Sequence, residues 1–136
     1  MSSIKLSDVQ LNIENITGKK KGSIICSSID ARYARDKDGK VTDMLEGWNV
    51  NIPALGGAIQ AVKLPLQARK VIDEATAALE RGDLVLVTFN DFKGSPYAII
   101  SEARMRTGVS CTASGMQIRV IPVDTDDDAE DEEIIL

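Results

Sequence analysis

Hydrophobic and polar residues alternate early in the chain. In residues 24–35, Ile29, Ala31 and Tyr33 share one face, with charged residues between them. Successive side chains of a strand point to opposite faces, so this period of two predicts a first strand. The turn residues 36–40, with Asp-Gly at their centre, mark the end of that strand.

Two further strands are predicted before the first proline-bounded change of pattern. Residues 46–52 place Trp48, Val50 and Ile52 on one face, and residues 59–64 form another short apolar run. A glycine pair between the two runs indicates a turn. The first three predicted strands therefore form a meander.

The period changes after Pro65. Apolar residues then recur every three or four positions, at Ala68, Ile72, Ala75 and Leu79. This spacing is one stripe of an amphipathic helix, and Gly82 is typical of a helix C-terminus. We expect a helix over residues 66–81. Beyond it, the β-branched run 84–89 predicts a buried strand, and alternation predicts strands over 97–106 and 116–123.

The order of these elements is typical of one mainly β domain. Three strands, a helix and a closing pair of strands follow the chain order of the OB-fold, a small five-stranded Greek-key β-barrel. An open α+β sheet covered by one helix is the alternative. We expect the domain to span residues 1–123. Residues 1–22 are expected as an N-terminal segment, in which alternation over residues 9–13 indicates an added strand.

Charge is divided between the body of the chain and its last residues. The 136 residues carry 16 basic and 21 acidic side chains, a net charge of −5. Eight acidic side chains and no basic one lie in residues 124–136, which leaves residues 1–123 with a net charge of +3. So charged a tail is expected to be disordered. The mildly basic body favours a nucleic-acid partner.

The composition argues against catalysis. The chain has no histidine, the commonest general base and metal ligand. It also lacks catalytic serine motifs and phosphate-binding glycine loops. We therefore expect no enzyme, no metal and no cofactor. Cys26 and Cys111 are expected to be core thiols in a reducing cytoplasm, and no signal peptide or membrane span is predicted.

Aromatic and basic side chains point to binding. Single strands bind OB-folds through a basic groove and aromatic rings on which bases stack. Phe89 is expected in the core, and core packing is also the alternative for Trp48. The cluster Lys19-Lys20-Lys21 suits phosphate contacts, or alternatively a solubilising loop. The expected contacts to nucleic acid are Lys19, Lys20, Lys21, Arg32, Tyr33, Arg35, Trp48, Phe92, Lys93 and Tyr97.

The acidic tail has an apolar tip. Its last residues are Asp131, Glu132, Glu133, Ile134, Ile135 and Leu136. This arrangement resembles the C-terminal peptide of bacterial single-stranded-DNA-binding proteins, whose tip docks into an apolar pocket of a partner. The resemblance implies that these six residues bind a partner, although the tip here is Ile-Ile-Leu and not Pro-Phe. A capping strand over residues 134–136 is the alternative.

Four segments carry a wider resemblance over about residues 20–122. They are Glu46-Gly-Trp48, the amphipathic helix, residues 82–89 and residues 114–119. Together they are similar to small accessory replication proteins, of the helicase-processivity type, from the integrative conjugative elements of Gram-positive bacteria. The resemblance implies an OB-like domain that binds single-stranded DNA and assists a helicase and a relaxase.

These features together predict a non-enzymatic single-stranded-DNA-binding protein of a phage or mobile element. We expect it in the cytoplasm, without a membrane partner, and self-association is left open. A protein-interaction module with no nucleic-acid binding is the alternative. The tail is expected to fold back on the basic face, so that removing residues 124–136 tightens DNA binding.

Overall fold

The computed structural model describes residues 9–20, 22–101 and 104–123. Within them the chain forms two α-helices, α1 (Ile13–Thr17) and α2 (Arg69–Glu80). The strands are β1 (Ile24–Ile25), β2 (Ser28–Arg35), β3 (Val41–Pro53), β4 (Ile59–Pro65), β5 (Leu84–Asn90), β6 (Lys93–Ser101), β7 (Arg104–Thr112) and β8 (Gly115–Ile121).

The strands form two sheets. The larger has the order β2–β3–β4–β7–β6, and the smaller has the order β1–β5–β8. Neighbouring strands are antiparallel except β4 and β7, which run parallel. Helix α2 connects β4 to β5 and packs against β2, β5 and β8. The predictions of a mainly β domain and of a helix between the third and fourth predicted strands are confirmed.

The backbone passes from one sheet to the other at two bends. At Cys26–Ser27, one N–H donates to a carbonyl of β5 and the next to a carbonyl of β3. At Ala113–Ser114, one N–H donates to a carbonyl of β4 and the next to the end of β5. The two sheets therefore curl around a common core.

The core lies between the curled sheets and α2. Its fully buried side chains from β3 and β4 are Val50, Ile52, Val62 and Leu64. The helix adds a buried stripe of Ile72, Ala75 and Ala78. Ile72 and Ala75 were predicted, whereas the predicted Leu79 is only partly buried and Ala78 takes its place. Burying an aliphatic side chain of this size stabilises the folded state by about 1.5–3 kcal/mol.

The N-terminal alternation does not produce a strand. Asn12 begins α1 with a capping box, in which its side chain accepts from the Asn15 N–H at 2.8 Å and the Asn15 side chain accepts from the Asn12 N–H at 2.9 Å. Capping satisfies N–H groups that a helix start leaves unpaired. Leu11 keeps one strand-like contact, its N–H donating to the Gly94 carbonyl at 2.7 Å.

The segment 97–106, predicted as one strand, contains the turn of a hairpin and parts of both of its strands. Strands β6 and β7 pair along their whole length, from Lys93 opposite Thr112 to Ser101 opposite Arg104. The sequence between the strands is Glu-Ala, which lacks the glycine, proline or asparagine that usually indicates a turn. We call this hairpin, residues 93–112, the arm.

Two other expectations concern the C-terminal tail and membrane-spanning helices. Residues 124–136, expected as a disordered tail, lie outside the described residues. Among the residues that are described, no helix is long and apolar enough to cross a membrane.

Candidate nucleic-acid interface

The outer face of the five-stranded sheet carries polar side chains along the middle of β3. Trp48, Val50 and Ile52 of β3 point into the core. Because side chains alternate along a strand, Asn49 and Asn51 between them point outward. The same alternation sets outward-facing residues on the other strands of this sheet.

The strand register aligns one outward-facing residue from each strand in what we call the polar row. Asp30 lies opposite Asn49, Asn49 opposite Lys63, Lys63 opposite Thr112, and Thr112 opposite Lys93. The row crosses the sheet at right angles to the strands. A chain-like ligand lying across the sheet would meet both ammonium groups.

Hydrogen bonds order one end of this face. The Asn51 Nδ2 donates to Ser28 Oγ and to Asp30 Oδ2, each at 2.9 Å. The Asn49 Oδ1 is buried and has no hydrogen-bond partner in the described chain. An unpaired buried acceptor is costly, so a donor from a bound ligand would stabilise it.

The two lysines of the polar row are exposed. The ion pairs found within the described ranges are Arg32–Glu46 and Arg81–Asp83, which involve neither Lys63 nor Lys93. The ammonium groups of Lys63 and Lys93 are therefore available to an anion. Lys93 is the one residue of the polar row that is among the contacts expected from the sequence. The other positions could have been found from the polar residues that alternate with buried ones in β3 and β4.

Arg32, expected to contact phosphate, is largely engaged within the protein. Its Nη1 lies 3.3 Å from Glu46 Oε1, and its Nη2 donates to the Leu64 carbonyl at 3.2 Å. Gly47 makes room for this contact, since a Cβ there would lie 2.8 Å from Arg32 Nη2 and still closer to the Leu64 carbonyl. Arg32 therefore reaches across β3 and ties β2 to β4.

Trp48 does not fit the stacking role expected for it. Its side chain is 7% exposed and belongs to the core. The Arg69 guanidinium carbon lies 5.2 Å from the centre of its ring. The reason lies in the alternation, which places Trp48 on the same face as Val50 and Ile52. The core alternative for this residue is the correct one.

Phe92 is also less available than expected. It is half-buried against the core, with its ring centre 6.0 Å from that of Phe89. Phe89 itself packs against the core, as expected. The two rings close the end of the core beside α1.

The tyrosines remain accessible and lie at opposite ends of the five-stranded sheet. Tyr33 is 43% exposed near the turn between β2 and β3, and Tyr97 is 39% exposed on the arm. The Tyr97 ring lies over Gly108 of the facing strand, where an added Cβ would come within 2.5 Å of its hydroxyl. The structure does not bring the two rings together.

The other expected contacts lie around the edges. Lys19 and Lys20 are exposed and follow α1, and the Lys19 N–H donates to Thr17 Oγ1 at 3.1 Å. Arg35 donates to the Gly39 carbonyl at 2.9 Å within the β2–β3 turn. Lys21 and the tail residues 131–136 lie outside the described residues.

The two thiols lie in the core. Cys26 and Cys111 are both buried, and burial raises the pKa of each to about 11. Both thiols are therefore protonated and poorly nucleophilic at neutral pH. Across residues 9–20, 22–101 and 104–123, no cluster of three or more potential metal ligands is found.

Comparison with protein-family models, with curated proteins and with solved structures finds no match for this chain.

Proposed function

We propose that the chain is a non-enzymatic single-stranded-DNA-binding protein acting in the replication of a phage or mobile element. The polar row is the observation that carries this proposal. It puts two exposed lysines, Lys63 and Lys93, on one polar face beside hydrogen-bonding side chains. Contacts of this kind bind the phosphates of a single strand without reading its sequence.

The proposed fold is the OB-fold. Its support is the pairing order, in which β1 and β2 act as one bent strand and β7 and β8 as another. OB-folds bind oligonucleotides on the face of their second and third strands and on two flanking loops. Here that face corresponds to β3 and β4, which carry Asn49 and Lys63. The arm stands in the place of the second loop.

In the proposed complex the strand crosses the sheet along the polar row. Lys63 and Lys93 contact phosphates, and the exposed ring of Tyr97, which lies on the same face as Lys93, stacks a base. Tyr33 lies opposite Leu45, on the face shared by Ile29 and Ala31, and so does not line this path. Each stacked base contributes roughly 1–3 kcal/mol. Lys19, Lys20 and Arg35 add charge around this path, whereas Trp48 and Phe92 take no part.

The proposed partners follow from the sequence resemblance. We propose that residues 131–136 recruit replication proteins such as a helicase or a relaxase. The family to which the resemblance points, the helicase-processivity type of accessory protein, is part of the same proposal.

The decisive experiment is a titration of a fluorescein-labelled dT oligonucleotide with the protein, followed by anisotropy at two salt concentrations. Binding that weakens steeply with salt is expected, because phosphate contacts release counterions. No binding at the lower salt concentration would contradict the proposal. Trp48 fluorescence is a poor reporter here because the ring is buried.

A protein-interaction module is the second candidate, and the arm is the observation that favours it. Ile100 and Met105 face each other across the arm and are 77% and 68% exposed. Exposed apolar patches often mark protein-binding sites. This candidate predicts no salt-sensitive affinity for the oligonucleotide, so the same titration separates the two functions.

A further inference from the structure

A cavity of about 180 Å³ opens between α1 and the end of β5. Its apolar lining comes from Ile13, Ile24, Phe89 and Phe92. A cavity of about 150 Å³ lined by similar side chains is large enough to bind a benzene molecule. This one can therefore accept an aliphatic side chain.

The cavity continues into a surface groove. A neighbouring depression of about 300 Å³ shares Gly22 and Thr88 with it and extends over β5 and β8 to Arg119. This groove lies on the three-stranded sheet, whereas the polar row belongs to the five-stranded sheet. The two surfaces are thus separate.

The charged side chain that lines the groove is basic. No acidic side chain lines the cavity or the depression, and Arg119 lines the far end. The exposed Lys19 and Lys20 stand in the loop between α1 and Gly22, which lines both spaces. An occupant with an apolar end and an acidic stretch would match this surface.

The chain itself contains such a segment. Eight acidic residues follow Val123, and the apolar run Ile134–Leu136 comes after them. Strand β8 ends with Ile121 opposite Leu84, five residues along β5 from Phe89, a separation of about 17 Å. Ile134 is 11 residues beyond Val123, which spans up to about 40 Å when extended. The run can reach the cavity of its own molecule.

We propose that the run Ile134–Leu136 docks at the cavity, with one of its side chains inside it beside Phe89 and Phe92 and the acidic residues before it lying along the groove against Lys19, Lys20 and Arg119. Apolar contact in the cavity fixes the end of the segment. The charges along the groove favour the acidic stretch over a neutral one and make the interaction sensitive to salt.

The test uses the full chain with labelled isoleucine methyl groups, observed by NMR without nucleic acid. The variant Ile134→Ser/Ile135→Ser/Leu136→Ser is compared with the parent protein. Changed shifts at Ile13 and Ile24, which lie near the Phe89 and Phe92 rings, are expected. Methyl groups of Ile59 and Ile99, on the five-stranded sheet, serve as the control and should stay unchanged. Unchanged Ile13 and Ile24 shifts would overturn the proposal.

A second variant tests the cavity side. Thr88→Arg places a bulky side chain where the cavity meets the groove, so the Ile134 and Ile135 methyl shifts should move to those of an unfolded chain. Parent shifts retained at both positions would argue against this site. Shifts that revert on dilution of the parent protein would show that the segment binds a second copy, which also contradicts the proposal. Because no DNA is present, neither result depends on the proposed function.

Discussion

Lys63 is the central residue of the polar row, two strands from either end of the five-stranded sheet. Its neighbours on the row, Asn49 and Thr112, are uncharged, so its ammonium group is the charge at the centre of the row. Single-site effects on binding should therefore be clearest at this position.

We expect Lys63→Ala to weaken binding of a dT oligonucleotide about 3- to 10-fold, equivalent to about 0.7–1.4 kcal/mol. The slope of log affinity against log salt should fall by about 0.7 if one phosphate contact is lost. Anisotropy titrations at several salt concentrations measure both effects. Lys70→Ala, which removes an exposed lysine from α2, is the matched control; equal losses in the two variants would refute a specific role for the row.

Trp48 should matter for stability and not for base stacking. We expect Trp48→Ala to lower the free energy of unfolding by about 3–5 kcal/mol, the usual effect of truncating a buried aromatic. Arg69→Ala should lower it by only about 0.5–2 kcal/mol, since it removes a cation–π contact. Urea unfolding followed by circular dichroism measures both. A stable Trp48→Ala variant with weakened DNA binding would reverse the assignment.

At this scale the sequence was informative about burial and less so about the interface. The period of two placed Trp48 with Val50 and Ile52, which is the core face. The same period, followed to the positions between them, would have marked Asn49 as outward-facing, but the sequence prediction did not use it. The row could not be derived, because Lys63 meets Thr112 through the parallel pairing of β4 with β7, and residues almost fifty positions apart carry no local sign of that contact.

Strand pairing joins the arm to the rest of the five-stranded sheet at its base, where Cys111 and Thr112 of β7 lie opposite Val62 and Lys63 of β4. The far end of the arm exposes apolar side chains, whereas its base contributes Lys93 and Thr112 to the polar row. The sequence predicted only part of it, because strand alternation continues on both sides of a turn that lacks glycine and proline.

Shortening the arm should separate binding from folding. Pro96 lies opposite Val109, so residues 97–108 can be replaced by Asn-Gly, a favoured two-residue hairpin turn. We expect weaker oligonucleotide binding, since Tyr97 is lost, with a thermal midpoint within a few degrees of the parent protein because the removed side chains are mostly exposed. Tyr97→Phe, which keeps the ring, is the control. Unchanged affinity after shortening would exclude residues 97–108 from the interface.

For the whole molecule, the division of charge bears on the proposed binding of DNA. Residues 1–123 carry +3 and the full chain −5. We expect removal of residues 124–136 to tighten oligonucleotide binding, most strongly at low salt, because the acidic residues compete with phosphates for Lys19 and Lys20. Paired titrations of the two proteins measure this. Equal or weaker binding by the shortened protein would contradict it.

The buried thiols make stability depend on alkaline pH. The pKa of Cys26 and of Cys111 is about 11 in the folded protein against an ordinary 9.0. The folded state thus holds these protons more tightly, and their stabilising contribution is complete below pH 9 and lost as pH rises toward 11. Urea unfolding across this range should show the decline. The variant Cys26→Ala/Cys111→Ala should decline less, and an identical decline would disprove this origin.

The bridge between Leu11 and Gly94 has a consequence for association between molecules. Strand β6 is an edge of the five-stranded sheet, and an unprotected edge can recruit strands from other chains. The Gly94 carbonyl points to that edge and is taken by Leu11. Pro96, two residues on, faces the same side and has no N–H to offer. The edge of β6 from Gly94 to Pro96 is therefore closed to strand addition, which protects a sheet with an exposed apolar arm against aggregation.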